Sequence, residues 1–313
     1  MKTNILVITG PTASGKTALG VEMAKRLDGE VISADSMQIY KGMDIATAKP
    51  TKDEMSEVPH HLIGFLDRTE SFSVADYVEM ANAVAEDIIS RGKKPIIVGG
   101  TGLYISSFIN NVQFADIKSD ESVRARLKEE AQLYGNEYLL SKLSECDPET
   151  ASELHHNNLS RVIRALEVYE VTGKKLSDYK KESLSQKLPY DFTVTALTYT
   201  DRQHLYDRIN RRVDIMLENG LLDEAYEVYK ESGKIKTAHQ AIGCKELIPY
   251  FENTATLDEC IEKIKQETRR YAKRQLTWFR NKPDVNWIEA DENSDINFFI
   301  KKCENIIAKQ RNI

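Results

Sequence analysis

The residues best suited to chemistry begin at Gly10, where the chain reads GPTASGKT through Thr17, a complete G-x-x-x-x-G-K-[ST] loop. The apolar run Ile5 to Ile8 leads into it and Ala18 to Leu27 can wind into a helix after it, as a phosphate loop requires. Gly10 and Gly15 let the backbone curl into a nest of N–H groups, Lys16 adds a point charge, and Thr17 offers a hydroxyl to Mg2+. Such a site holds a polyphosphate or a diphosphate, and the loop alone does not say of which compound. Asp35 stands at the tip of the apolar run Val31 to Ser33, at the start of DSMQIYKGMDIATAKP. A carboxylate there fits a Mg2+ ligand, a general base or simply a helix N-cap. The run Ile96 to Val98 passes into GGTGLY, Gly99 to Tyr104, and not into the acidic residue expected of an ATPase strand. Its glycines let Thr101 and the backbone approach a reacting centre, although a plain tight turn has the same composition.

Two arginine pairs have helical spacing, Arg161 with Arg164 and Arg208 with Arg212. Either suits a diphosphate clamp, and either is also explained by surface ion pairs with Glu167, Asp207 or Asp214. The doublets His60–His61 and His155–His156 are poor candidates for one zinc ion, because adjacent side chains diverge on a strand or a helix.

The elements that must position these residues alternate strand and helix through the first third of the chain. Strands are expected at Ile5–Ile8, Val31–Ser33 and Pro95–Val98, with helices from Lys16 and around Ala75–Ser90. That rhythm predicts an α/β fold, a parallel sheet flanked by helices, with the ligand crevice outside the carboxyl ends of the strands. From about residue 116 to 190 the sequence turns charged and helix-forming, which predicts an inserted all-helical domain between core segments 1–115 and 191–313. Thr193–Leu197 resumes as a strand, and Arg202–Lys230 and Leu257–Arg280 are each expected as one long helix.

With 313 residues the chain can bury a sizeable core, and no apolar stretch approaches the length of a membrane span. The apolar N-terminus belongs to the first strand, not to a signal peptide, so a cytoplasmic monomer is expected. Four scattered cysteines, Cys146, Cys244, Cys260 and Cys303, argue against a disulfide framework. The net charge of −6 speaks against wholesale nucleic-acid binding. Between Ile261 and Lys282, however, eight basic residues face two acidic ones, with Tyr271, Trp278 and Phe279 interleaved. A helix of that composition can lay cations along phosphates and offer aromatic edges to single-stranded RNA, and a solvated basic face accounts for it equally.

In GPTASGKT, DSMQIYKGMDIATAKP, VPHHL, GGTGLY, NNLSRVIRALEVYEVTGK and the QETRRYAKRQLTWFR run, the chain resembles the tRNA dimethylallyltransferase family, in its bacterial form, over nearly its whole length. One departure is Cys244 in AIGCKEL, where the family usually has tyrosine. The resemblance implies a P-loop NTPase-like core that moves a dimethylallyl group from dimethylallyl diphosphate to the exocyclic amine of the adenosine 3′ of the anticodon. It assigns the diphosphate to Gly10, Pro11, Thr12, Ala13, Ser14, Gly15, Lys16 and Thr17 with Arg208 and Arg212, and Mg2+ to Thr17. Asp35 becomes the base and Thr101 a hydrogen-bonding partner of the reacting groups. Contacts to the tRNA anticodon stem-loop fall to Asp35, Ser36, Met37, Gln38, Thr101, Arg124, Asn158, Leu159, Ser160, Arg161, Val162, Arg269, Arg270 and Arg274. The alternatives are a small-molecule kinase of the shikimate or nucleoside type, and a nucleotide-gated RNA-binding module without group transfer.

Overall fold

The computed structural model describes residues 2–112, 120–184, 189–235 and 237–311. In chain order these form β1 (Thr3–Thr9), α1 (Lys16–Leu27), β2 (Gly29–Ser33), α2 (Lys52–Met55), β3 (His60–His61), α3 (Val74–Ser90), β4 (Lys94–Val98) and α4 (Gly102–Ile109). There follow α5 (Glu121–Tyr134), α6 (Asn136–Cys146), α7 (Pro148–Ser152), α8 (Leu159–Thr172) and α9 (Leu176–Leu184). The chain then continues with β5 (Tyr190–Tyr199), α10 (Arg202–Glu218), α11 (Leu221–Lys230), α12 (Ile248–Phe251), α13 (Leu257–Arg280), β6 (Val285–Ala290) and α14 (Ile296–Arg311). The chain divides into two compact units, Met1–Phe108 with Pro189–Ile313, and Ile109–Leu188.

In the first unit β2 is buried at every residue and β1 from Ile5 to Thr9. A strand buried on both faces needs cover on both, which a parallel sheet with crossover helices supplies. The six strands lie in the order β3-β2-β4-β1-β5-β6, and every pairing is parallel. The chain thus builds one side of β1 first and the other side later, which puts a topological switch point at the carboxyl end of β1, where ligands of such sheets bind. Register brings three functional turns to that edge. Ile8 pairs with Val98 and Ser33 with Val98, so the turns after β1, β2 and β4 leave the sheet side by side. Leu19, Met23 and Ala24 of α1 pack on Leu6, Ile8, Val31 and Ile96 together with Phe299 and Cys303 of α14. Leu205 and Ile209 of α10 meet Ala272 and Leu276 of α13.

The single helix expected over Arg202–Lys230 is instead two, α10 and α11, because the chain turns at Asn219 and Gly220. Gly220 sits at φ +98°, a left-handed conformation that a side chain resists, and this ends the first helix. Strands β3 and β6 and helix α14 were not expected from the sequence. β3 is only two residues long, and β6 mixes Asn286, Trp287 and Glu289 into its run, so neither shows a clear apolar period.

The second unit is all helical among its described residues. Leu127, Leu139, Leu143, Val162, Ile163 and Leu166 form its own core. Glu167 is fully buried in it and accepts from the Asp120 N–H (2.8 Å), Arg124 Nε (2.9 Å) and Arg164 Nη1 (2.7 Å). Among the described residues no helix is long and apolar enough to cross a membrane.

Candidate active site

The loop after β1 is held from α10. Arg208 and Arg212, one turn apart, project from the same helix face. Arg208 Nε donates to the Ala13 carbonyl (2.9 Å), at a residue kept at φ +63°, and its guanidinium lies 5.4 Å from the Tyr199 ring centre. Arg212 donates through Nη1 to Thr12 Oγ1 and through Nη2 to the Ala48 carbonyl, each at 3.3 Å. Lys16 Nζ donates to the Pro11 carbonyl (2.6 Å). Burial, and then the positive charge of Arg212, pull the Lys16 ammonium down to about 7, while the Asp35 charge works the other way. Burial also lowers Arg212 from its ordinary value. Ser14 is fully buried, and its hydroxyl has no hydrogen-bond partner among the described residues. Burying a hydroxyl unpaired is costly, so this group is open to a hydrogen-bonding partner.

Asp35 follows β2, and its Oδ1 accepts from the Met37 N–H (2.9 Å) and the Gln38 N–H (3.3 Å). No helix follows Asp35, so it is not the helix N-cap considered from the sequence; its Oδ1 instead closes the turn over residues 36–39, and this occupies one oxygen of the carboxylate. Oδ2 has no hydrogen-bond partner among the described residues, which leaves it for another donor. Thr101 stands behind this turn. Its Oγ1 accepts the Ser36 N–H (3.0 Å) and donates to Ser36 Oγ (3.3 Å), while its N–H donates to the Ala34 carbonyl (3.1 Å). The Gln38 amide donates to the Thr47 and Ala48 carbonyls (3.1 and 3.2 Å), strapping the next loop across the same crevice.

Between these groups lies a cavity of about 290 Å3. Lys16, Thr17, Asp35, Arg212 and the hydroxyls of Thr12 and Ser33 give it a polar wall; Ile63, Ile209, Val213, Met216, Ile242 and Ile264 give it an apolar one. Thr101 and Arg208 are not among its lining residues. Ser33 is 4% exposed, and its hydroxyl too has no partner among the described residues. Thr17, Ser33 and Asp35 offer oxygen donors alone, the kind a hydrated Mg2+ takes. No cluster of three or more His, Cys, Asp or Glu that fits a metal occurs among the described residues. His60 Nδ1 pairs with the Val58 carbonyl (2.8 Å) and His61 Nε2 with Glu30 (2.8 Å), each engaged separately.

Comparison with known proteins places the chain in a family. Residues 38–282 match the family described as IPP transferase. The chain belongs to that family. It is 50% identical over 294 residues to the tRNA dimethylallyltransferase of Caldanaerobacter subterraneus, covering 93% of each chain, and 47% identical over 308 residues to that of Halalkalibacterium halodurans, covering 98% of each. Among solved structures, the full-length tRNA isopentenylpyrophosphate transferase of Bacillus halodurans superimposes with a TM-score of 0.71 at 45% identity, over 99% of this chain and 100% of that one. A eukaryotic dimethylallyltransferase acting on tRNA superimposes with a TM-score of 0.79 at 31% identity, over 98% and 80% of the respective chains.

Within this IPP transferase the remaining sequence candidates occupy varied positions. On α13, Arg274 is exposed, reaches the cavity wall and lies 5.7 Å from the Tyr271 ring centre; Arg270 is exposed and paired with Glu267 (2.6 Å). Arg269 donates to Asn210 Oδ1 (2.6 Å), inside the contact between α10 and α13. In the helical unit, Arg124 is tied to Glu167, and Asn158 precedes α8 with its Oδ1 accepting the His155 N–H (3.1 Å). Leu159, Ser160 and Arg161 open α8, whereas Val162 is buried in that unit's core. Cys244, the departure from the family pattern, is 3% exposed among Leu221, Ala225 and Leu247, and burial raises its thiol to about 12, so it acts as a packing group. Sequence reasoning missed Gln275, which accepts the Thr12 N–H of the phosphate loop through Oε1 (2.8 Å). Its signal was a polar residue on the buried stripe of α13 that also carries Ile264, Ala272 and Phe279.

Proposed function

We propose that this protein transfers the dimethylallyl group of dimethylallyl diphosphate to the exocyclic amine of the adenosine 3′ of the anticodon in tRNA, releasing diphosphate. The observation that carries this reading is the shared cavity, in which a phosphate-loop lysine and an arginine face a carboxylate across an apolar wall. Its six apolar side chains suit a five-carbon allylic group better than a polyhydroxy acceptor of the shikimate kind. The relatives in the family carry the corresponding name.

In this reading the allylic carbon–oxygen bond breaks with its electron pair leaving on the diphosphate, the amine nitrogen bonds to that carbon, and an amine proton passes to Asp35 Oδ2. Lys16, Arg212 and the free loop amides stabilise the growing charge on the leaving oxygens, usually the largest catalytic contribution. The orphaned hydroxyl of Ser14 fits a diphosphate oxygen. Mg2+, held through Thr17, would supply further neutralisation of the leaving group. The N–H of Thr12 already belongs to Gln275, so Thr12 contributes its hydroxyl and not its amide. Because the amine lone pair is shared with the purine ring, alignment matters as much as the base. Thr101 serves by fixing the Asp35 turn. The base must leave the anticodon stack at a cost of about a few kcal/mol, which contacts of the tRNA with α13 and the helical unit offset.

The test is incubation of the protein and Mg2+ with unmodified tRNA and either dimethylallyl diphosphate or ATP, followed by mass analysis of the nucleosides. A five-carbon adduct on adenosine with the first donor is expected. No adduct, with ADP formed from ATP, would replace this reading with a kinase.

A further inference from the structure

Tyr271, Gln275 and Trp278 recur at i, i+4 and i+7 and so share one face of α13. All three meet the GGTG turn after β4. The Tyr271 hydroxyl lies beside the Thr101 side chain, the Gln275 Nε2 donates to the Gly100 carbonyl (3.0 Å), and the Trp278 indole N–H donates to Ser106 Oγ (3.0 Å). The glycines of the turn are made for this helix. A Cβ on Gly100 would lie 2.1 Å from Gln275 Nε2, and one on Gly102 would lie 2.4 Å from the Trp278 ring. Gln275 also accepts the Thr12 N–H of the phosphate loop, 263 residues away in the chain. The residue is 5% exposed, and its amide uses both ends on main-chain groups.

These two partners belong to opposite sides of the proposed reaction. Thr12 is part of the loop that would hold the leaving diphosphate. Gly100 precedes Thr101, which holds the Ser36 N–H and through it the turn that presents Asp35. We propose that Gln275 is a positioning residue that sets the diphosphate cradle in register with the Asp35 carboxylate, an inference that rests on the transfer reading above. One planar amide spans both sides, so the spacing between leaving group and base is fixed by a single rigid unit. A small misplacement of reacting groups costs on the order of 100-fold in rate, without a matching loss of ground-state binding. Gln275 therefore acts on kcat and little on either substrate's affinity.

Three measurements test this on the full-length protein. Gln275→Met keeps the side-chain volume and removes both hydrogen bonds; kcat is expected to fall about 100-fold, with the affinities for inorganic diphosphate with Mg2+ and for tRNA within about threefold of wild type. Gln275→Glu keeps the acceptor for Thr12, but donates to the Gly100 carbonyl only when its carboxyl is protonated. Its kcat relative to wild type is therefore expected to rise as pH is lowered, whereas that ratio for Gln275→Met stays flat. A kcat of Gln275→Met within threefold of wild type would overturn the proposal, as would loss of diphosphate binding in step with kcat or a flat Gln275→Glu ratio. If Gln275→Met does not fold, the Gln275→Glu ratio decides alone. A wild-type protein that binds diphosphate and tRNA yet forms no adduct would instead refute the transfer reading.

Discussion

At the scale of single residues, Asp35 holds its turn through one carboxylate oxygen, and the proposed base role falls to the other, so the two can be tested apart. Asp35→Asn keeps an oxygen for the Met37 and Gln38 amides and removes the proton acceptor. Transfer should fall by about 10²- to 10⁴-fold, the usual contribution of a general base, while thermal stability stays within about 0.5 kcal/mol. Equal transfer by the Asn variant in single-turnover assays would reduce Asp35 to holding its turn. Lys16 makes a second prediction. Its ammonium is held near 7, so the free protein loses this charge as pH rises through about 7, and the diphosphate then meets one cation fewer. The kcat/KM for dimethylallyl diphosphate should decline above that pH, and Lys16→Arg, charged throughout, should remove the decline. An unchanged pH profile in that variant would assign the titration elsewhere. The loop, Asp35 and the Arg208–Arg212 pair were legible in the sequence because each is a local pattern of residue types. Gln275 was not, because its meaning lies in two backbone groups, Thr12 and Gly100, that only the tertiary fold brings to it.

Among elements, the strands β1, β2, β4 and β5 and the helices α1, α3 and α13 could be read from apolar runs and helical spacing. The edge strand β3 could not, since His60 and His61 carry no apolar signal, and it is placed by pairing with β2. A cluster of partly exposed cations around one buried carboxylate secures the edge. Glu30 of β2 accepts from Arg91 Nη1 (2.5 Å) and Nη2 (2.9 Å), pairs with His61 Nε2 (2.8 Å) and lies 3.2 Å from Lys93 Nζ. The Arg91 hydrogen bonds lead a set of contacts that outweigh burial and hold the carboxyl at about 2. Because the folded value lies below the unfolded one, the stabilisation is fully present above about pH 4.5 and is lost as pH falls through about 2. Allowing for solvent screening at the part-exposed Arg91, it amounts to about 2 kcal/mol. Glu30→Gln should lower stability by that order at pH 7, and the difference from wild type should shrink below pH 4 in denaturant titrations. A pH-independent difference would mean that packing, not charge, is what Glu30 supplies.

For the whole molecule the notable property is an acidic protein with a basic helix. A net charge of −6 disfavours approach to RNA at long range, but at physiological salt fields decay over roughly 8 Å, so the local surplus on α13 governs what a bound strand feels. The fold sorts the basic residues of that helix. Arg269 is turned inward to Asn210 and Lys265 is paired with Asp214, whereas Arg270, Lys273, Arg274 and Arg280 remain exposed. The cations that meet phosphate should therefore be the exposed ones, a distinction that composition alone does not make. Each phosphate neutralised on a single strand contributes roughly 0.7 to the slope of log K against log salt. Replacing Arg270, Lys273 and Arg274 together by Gln should thus weaken tRNA binding and reduce that slope by about 2. Replacing Lys301, Lys302 and Lys309 of α14 removes the same charge from another exposed face and should leave the slope as it was. Filter-binding titrations from low to moderate salt separate the two triples. Equal changes would mean that tRNA responds to net charge alone, and no change in either would move the RNA contact off α13 altogether.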